Sequence, residues 1–241
     1  MGKVIEFVTE TGSTNADLAA RLNAAEQVPE GHWLVADRQT AGRGRLGREW
    51  QDGAGNFMGS TVVHAAYADP PPATLALVAG IALHEVVAAY LPPSHHALLK
   101  WPNDLMIGSA KLAGILLERT GEAVVVGIGV NLASAPALPD RTTIALADLT
   151  TAPARDAFAA DLAAQFAVEL GRWRAYGLAP VIARWLTLGH PLGTGLRIAE
   201  PDGSVLEGSF AGLTDQGLLQ LRRPDGSLHT VNAGDVRLEQ E

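Results

Sequence analysis

The stretch from Ala73 to Leu91 is nearly apolar all round, is bounded by Pro72 and Pro92, and carries Gly80, His84 and Glu85 as its interruptions. By length it approaches what a bilayer crossing needs, but the interruptions and the proline boundaries point to a helix buried in a globular core. His84 and Glu85 have no partner motif around them and read as a helix-surface pair. A chain that buries a whole helix needs sheet around it, and 47% hydrophobic residues over 241 positions are enough for one good-sized domain and a small one.

Strand signals stand on both sides of that helix. Val4 to Val8 opens the chain, and Ser13 or Thr14 reads as the N-cap of an Ala/Leu-rich helix ending near Glu26. His32 to Asp37 and Asn56 to His64 follow as strands. Beyond the core helix come Ala97 to Lys100, a hairpin of Leu105 to Gly108 with Lys111 to Leu117, and Ala123 to Leu132. In the last of these Gly127 and Gly129 are two apart, which leaves one strand face bare for a flat ligand or close packing. Ala133 to Thr151 reads as a partly ordered loop, and helices are expected over Arg155 to Tyr176 and Ala179 to Thr187. Gly189 to Gly195, with three glycines and a proline in seven residues, is the best boundary by composition, dividing 1–188 from 189–241. Past it, five short strands separated by turns such as Pro201-Asp202-Gly203 and Pro224-Asp225-Gly226 predict a small barrel.

Gly42-Arg43-Gly44-Arg45-Leu46-Gly47-Arg48, closed by Trp50, places three guanidiniums and three glycines in seven residues. Such a loop suits an anion, because glycine lets backbone approach closely and Arg presents a fork of donors to carboxylate or phosphate. The chain as a whole is acidic, with 18 basic against 26 acidic residues and a net charge of −8, which disfavours bulk nucleic-acid binding. A small anionic ligand is the better reading. The chain has no cysteine, so disulfides, thiolate nucleophiles and thiolate metal sites are excluded. The first residues turn polar within six positions, with no signal-peptide pattern, and a cytoplasmic enzyme is expected.

Downstream stand Lys100-Trp101-Pro102-Asn103-Asp104, then Lys111-Leu112-Ala113-Gly114-Ile115-Leu116, then Gly127-Ile128-Gly129-Val130-Asn131. With the arginine loop, and in that order, these segments resemble the biotin protein ligases from about Phe7 to the C-terminus. The resemblance implies an α+β fold: a mixed β-sheet catalytic domain of the biotin/lipoate ligase type with flanking helices, and a C-terminal SH3-like β-barrel. It implies biotin and ATP as substrates with Mg²⁺, a biotin carboxyl carrier protein as partner, and biotinyl-5′-AMP as intermediate. On the biotin side it places Ser13, Thr14, Gln39, Gly42, Arg43, Gly114 and Gly127. Arg45, Arg48, Asn103 and Lys111 are assigned to the phosphates, and Asn103 also to Mg²⁺. Trp50, Gly129 and Asn131 complete the binding set, and Lys111, Arg45 and Asp104 are the catalytic candidates. Trp101 is expected in the core, with Trp50 a loop anchor.

Each assignment has its chemistry. Biotin carboxylate and ATP are both anionic, so bringing them together calls for cations, and Asp104 is placed to orient or deprotonate the acceptor amine. A lysine in a mostly buried strand, like Lys111, needs a charge partner or an anion. Leu46 stands where the resembled family frequently has arginine, which lowers the loop's charge. Ala133 to Leu146 has no aromatic residue, so an adenine contact there would be aliphatic. Lipoate attachment, noncatalytic biotin binding and a Gly-Arg nucleic-acid module stay open as rivals. The short segment before Ser13 leads us to expect no DNA partner, the reading of Ala73 to Leu91 as a core helix leads us to expect no membrane partner, and a homodimer is compatible with the sequence.

Overall fold

In the computed structural model, residues 4–199, 203–232 and 234–238 are described. Pro201 and Asp202 of the first expected barrel turn lie outside them. The N-terminal part is a seven-stranded mixed sheet in the order β1-β2-β3-β7-β6-β5-β4. Its strands are β1 (Ile5–Thr11), β2 (Trp33–Gln39), β3 (Phe57–His64), β4 (Ala97–Lys100), β5 (Asp104–Ile107), β6 (Ala110–Thr120) and β7 (Ala123–Val130). The pairing β1/β2 is parallel and the others are antiparallel. The helices are α1 (Thr14–Asn23), α2 (Leu75–Tyr90), α3 (Arg155–Tyr176) and α4 (Leu178–Leu188).

Strand alternation sorts side chains onto two faces, and the two faces are covered differently. Trp33, Val35, Phe57, Val63, Ala113, Ile115, Val124, Val126, Ile128 and Val130 share one core with α2, α3 and α4. The apolar stretch read as a buried helix lies in this layer, with Val78, Ile81, Leu83 and Val87 almost fully covered. By length and composition alone 72–90 also passes as a membrane span. On the other face a smaller cluster of Leu34, Val62, Val125, Ala123 and Val28 packs beneath Leu18 of α1. Helix α1 has ten residues and covers only part of that face. The uncovered part carries Ser60, Gly127, Gly129, Gly114 and Leu116, and it is where the site forms.

The C-terminal sheet is antiparallel in the order β11-β10-β9-β8-β12, with β8 (Gly195–Ala199), β9 (Val205–Leu213), β10 (Leu219–Arg222), β11 (Leu228–Val231) and β12 (Asp235–Leu238). The expected barrel is not closed: β11 and β12 stay at opposite edges among the described residues. The alternate residues Leu196, Ile198, Phe210, Leu219, Leu221 and Val236 join the core that contains α2 and α4. Trp185 of α4 meets Phe210 edge-on at 6.3 Å. Trp101 is buried as expected, and its Nε1 donates to the Gly217 carbonyl at 3.1 Å, tying the two sheets together; the Trp101–Pro102 peptide is cis.

His84 departs from the expected surface pair. Its Nε2 meets the Ala97 carbonyl at 3.0 Å, while Glu85 pairs instead with Arg184 of α4 at 2.7 Å. Burial lowers the His84 imidazole below its ordinary pKa, opposed by the bond to Ala97.

Because Leu83 lies wholly inside the core face of α2, Leu83→Ala should cost about 3 kcal/mol in urea unfolding. Tyr67→Ala, on a fully exposed ring, should stay within about 0.5 kcal/mol.

Candidate active site

A β-bulge decides which way the strand lysine points. In β5/β6 the register runs Ile107↔Ala110, Met106↔Lys111 and then Leu105↔Ala113, so Leu112 is an extra residue without an opposite number. An inserted residue reverses the alternation. Ala113 and Ile115 face the helical core while Gly114 and Leu116 face the open side. Without the bulge Lys111 would follow the odd positions into the core. With it, Lys111 enters the cleft, and Leu112 is fully buried.

The open face is bare because glycines pair across strands. Gly114 lies opposite Gly129, and Gly127 lies between Ser60 and Leu116. The bareness is used mainly by the protein itself, not left as a slot for a flat ligand. A Cβ on Gly129 would collide with the indole of Trp50, and one on Gly114 would lie 3.2 Å from the same ring. A Cβ on Gly127 would strike the side chain of Asn15. Trp50 therefore anchors its loop, and its Nε1 is buried with no hydrogen-bond partner among the described residues.

The arginine loop is folded on itself. Gly44 N donates to Arg48 O at 2.7 Å, Trp50 N donates to Gly42 O at 3.0 Å, and residues 45–47 form one 3-10 turn. A Cβ on Gly42 would sit 2.5 Å from the Trp50 carbonyl oxygen, so Gly42 serves loop closure. Leu46 at the tip has φ of 58° and is exposed, a left-handed backbone that costs a non-glycine residue about 1–2 kcal/mol.

Every predicted site residue except Gly42 lines one cavity of about 310 Å³. Its inner end is uncharged. Thr14 N donates to Gln39 Oε1 at 2.8 Å, Thr14 Oγ1 meets Ser60 Oγ at 2.6 Å, and Ser60 donates to Asn15 Oδ1 at 2.6 Å. Ser13, expected to cap α1, makes no side-chain cap bond. With Thr14 turned into the network, neither hydroxyl caps.

The outer end is charged, and three of its cations, Lys111, Arg48 and Arg141, are held by the protein's own carboxylates. Lys111 Nζ lies 2.5 Å from Asp104 Oδ1 and 5.9 Å from the Trp50 ring centre. Arg48 reaches Asp235 of β12 at 2.7 Å, and Arg141 reaches Asp140 at 2.6 Å. Arg45 donates to Asn103 Oδ1 at 3.2 Å, and burial lowers its pKa, with Asp104 opposing and Arg48 assisting. Arg43 stands exposed at the rim. A second cavity of about 330 Å³ continues the cleft past Lys111 to Arg141 and Asp235.

Asn103 and Asn131 brace the strands. Asn103 Nδ2 donates to Ile115 O at 2.7 Å, which turns its oxygen toward Arg45. Asn131 Nδ2 donates to Ile144 O at 3.2 Å. The segment after β7 is tied alongside Lys111 by Lys111 N to Thr142 O and Ile144 N to Lys111 O, at 2.9 and 3.1 Å. Leu138 and Pro136 line the cleft from this segment. Sequence reading missed Ser60, Arg141 and Asp235 as site residues. Ser60 had a signal, a polar residue in an apolar strand, and so did Arg141, isolated among small residues and prolines. Asp235 had none, because its approach depends on how the second sheet docks.

Among known proteins, the Biotin/lipoate A/B protein ligase family matches residues 6–132, and the Biotin protein ligase C terminal domain matches 193–238. The biotin–[acetyl-CoA-carboxylase] ligase of Paracoccus denitrificans is 38% identical over 91% of this chain and 95% of its own length. The enzyme of that name from Mycobacterium tuberculosis is 37% identical over 96% and 88%. A biotin protein ligase from Aquifex aeolicus, solved with biotin and ATP, superposes with a TM-score of 0.83 over 99% of each chain at 24% identity, a likeness of fold.

Burial would raise the Asp235 carboxyl, but the Arg48 bond and the charges of Arg48, Arg141 and Arg237 hold it below the ordinary carboxylate pKa. A depressed folded-state pKa gives stability that is complete above the unfolded value, about 3.9, and is lost as pH falls through the folded value. Asp235→Asn should therefore cost about 1 kcal/mol at pH 7 and progressively less as pH falls below about 3.9, read from urea unfolding across that range.

Proposed function

The chain belongs to the biotin protein ligase family, and from that premise we propose that it is an ATP-dependent ligase acting through biotinyl-5′-AMP. It joins biotin to AMP and then passes it to a lysine of a biotin carboxyl carrier protein, releasing pyrophosphate and AMP in turn. The observation that carries this reading is a single cleft with an uncharged hydrogen-bonding end and a cationic end, divided by Lys111.

At the inner end Thr14 and Gln39, braced by Ser60 behind Thr14, match the N–H and C=O groups of a ureido ring. The carboxylate of biotin then lies toward Lys111 and the arginines. In the first step a biotin carboxylate oxygen attacks the α-phosphorus of ATP and the bond to the bridging oxygen breaks, expelling pyrophosphate. Negative charge grows on the phosphorus oxygens, and Lys111, Arg45 and Arg48 offset it. Each of these is already engaged by Asp104, Asn103 or Asp235, so the triphosphate displaces or shares those partners. In the second step the carrier's amine attacks the carbonyl carbon, the bond to the phosphate oxygen breaks, and AMP leaves. Asp104, beside Lys111, orients that amine and takes its proton.

The residues do not fit a magnesium site of their own. Asn103 Oδ1 accepts from Arg45, Asp104 pairs with Lys111, and among the described residues no three His, Cys, Asp or Glu side chains converge. Magnesium is therefore part of the Mg·ATP substrate in this reading. The reading also includes a catalytic unit over 1–188 with a second unit over 189–241 that supplies Asp235, a cytoplasmic location, and no DNA or membrane partner.

Labelled biotin, labelled lipoate and ATP, scored for adenylate, test it: biotinyl-AMP alone is expected, and lipoyl-AMP or no adenylate would refute it. Lys111→Ala should slow adenylate formation about a hundredfold, roughly 3 kcal/mol. Arg45→Gly should still form adenylate but release it into solution. A normal rate in Lys111→Ala, or full retention in Arg45→Gly, would contradict this division of roles.

A further inference from the structure

We propose that Glu118, which does not line the cleft, is a positioning residue that sets the direction of the hydrogen-bond chain at the uncharged end and so selects a ligand N–H. The inference rests on the reading of that end as the ureido pocket. Asn15 Nδ2 donates to Glu118 Oε2 at 2.7 Å and lies 3.5 Å from the Leu116 carbonyl. An ionised carboxylate only accepts, so it fixes which end of the Asn15 amide faces it. The Asn15 oxygen must then face Ser60, and Ser60 donates its single proton there at 2.6 Å.

One proton assignment follows from another. Thr14 Oγ1 lies 2.6 Å from Ser60 Oγ and 3.1 Å from Gln39 Oε1. The Ser60 proton is committed to Asn15, so the shorter contact forms only if Thr14 donates to Ser60. Gln39 Oε1 is already satisfied by Thr14 N at 2.8 Å. Every proton in the chain thus runs away from the cleft toward Glu118. Thr14 Oγ1 is left with lone pairs and no proton for a ligand in the cavity it lines. A ring N–H is favoured there, and an oxygen in its place would meet another oxygen.

The network has little freedom to adjust otherwise. Asn15, Thr14 and Ser60 are 4%, 3% and 0% exposed, and the Asn15 side chain lies against Gly127, where a Cβ would collide with it. Direction can change only by turning the Asn15 amide over. That turn is blocked while an acceptor stands at 118 and is driven when a donor does.

The experiment compares Glu118→Lys and Glu118→Gln with the parent, each checked for an unchanged unfolding midpoint. Substrates are biotin and the two cyclic carbamate analogues in which one or the other ureido N–H is replaced by oxygen, and adenylate formation is measured. The parent should reject one analogue by about a hundredfold in kcat/KM, the upper end of the penalty for leaving a buried acceptor unpaired. Glu118→Lys should raise KM for biotin at least tenfold, lower kcat less than threefold, and shrink that discrimination to under tenfold. Glu118→Gln, which still offers an acceptor, should keep it within threefold of the parent. Equal losses for biotin and analogue in Glu118→Lys, or unchanged discrimination, would overturn the proposal. A parent that forms no biotinyl-AMP would instead overturn the reading on which it rests.

Discussion

The bulge at Leu112 is the constraint on which the site depends. A sheet strand sends alternate residues to opposite faces, and β6 has to deliver Ala113 and Ile115 to a helical core while keeping Lys111 out of it. One unpaired residue achieves both. A lysine buried without a partner would cost several kcal/mol, so the same insertion also removes a strong penalty on folding. Burial of the core and assembly of the cleft thus rest on a single irregularity.

The second constraint is coverage. Three helices close one face of the seven-stranded sheet, whereas α1 closes only part of the other. The rest of that face is stripped of side chains by glycines at 114, 127 and 129, and Trp50, together with Asn15 at the start of α1, fills most of it. What is left is a cleft whose walls come from α1, the arginine loop, the 133–146 segment and the edge of the second sheet. Its cations are neutralised from within, by Asp104, Asp140 and Asp235. Exchange of such carboxylates for phosphate oxygens swaps one charge-assisted bond for another, which keeps a cationic cleft from unfolding the protein by self-repulsion.

Most strands and helices were legible in the sequence because their signals are local. The apolar helix and the strand alternations stand in the structure within a few residues of their expected bounds. Nonlocal facts were less legible. The bulge was invisible because a strand reading assumes unbroken alternation. The N-cap reading of Ser13 and Thr14 failed because Gln39 and Ser60, distant in sequence, draw Thr14 into the cavity network. The open second sheet was missed because five short strands do not say whether their apolar residues enclose one another or pack on α4. Lys111, Asp104, Arg45, Arg48 and Asn103 were named through the family resemblance of their motifs, while the pairings of Arg45 with Asn103 and of Arg48 with Asp235 follow only from the folded chain.

The central claim, that the extra residue at Leu112 turns position 111 into the cleft and 113 into the core, has a direct measurement. The chain has no cysteine, so Lys111→Cys and Ala113→Cys each introduce a unique thiol whose rate of labelling by a small alkylating reagent can be followed. The account predicts rapid labelling at 111, slowed at least tenfold by biotin with Mg·ATP, and labelling at 113 only at the rate of global unfolding. Fast labelling at 113, or a thiol at 111 that reacts only as the protein unfolds, would contradict it.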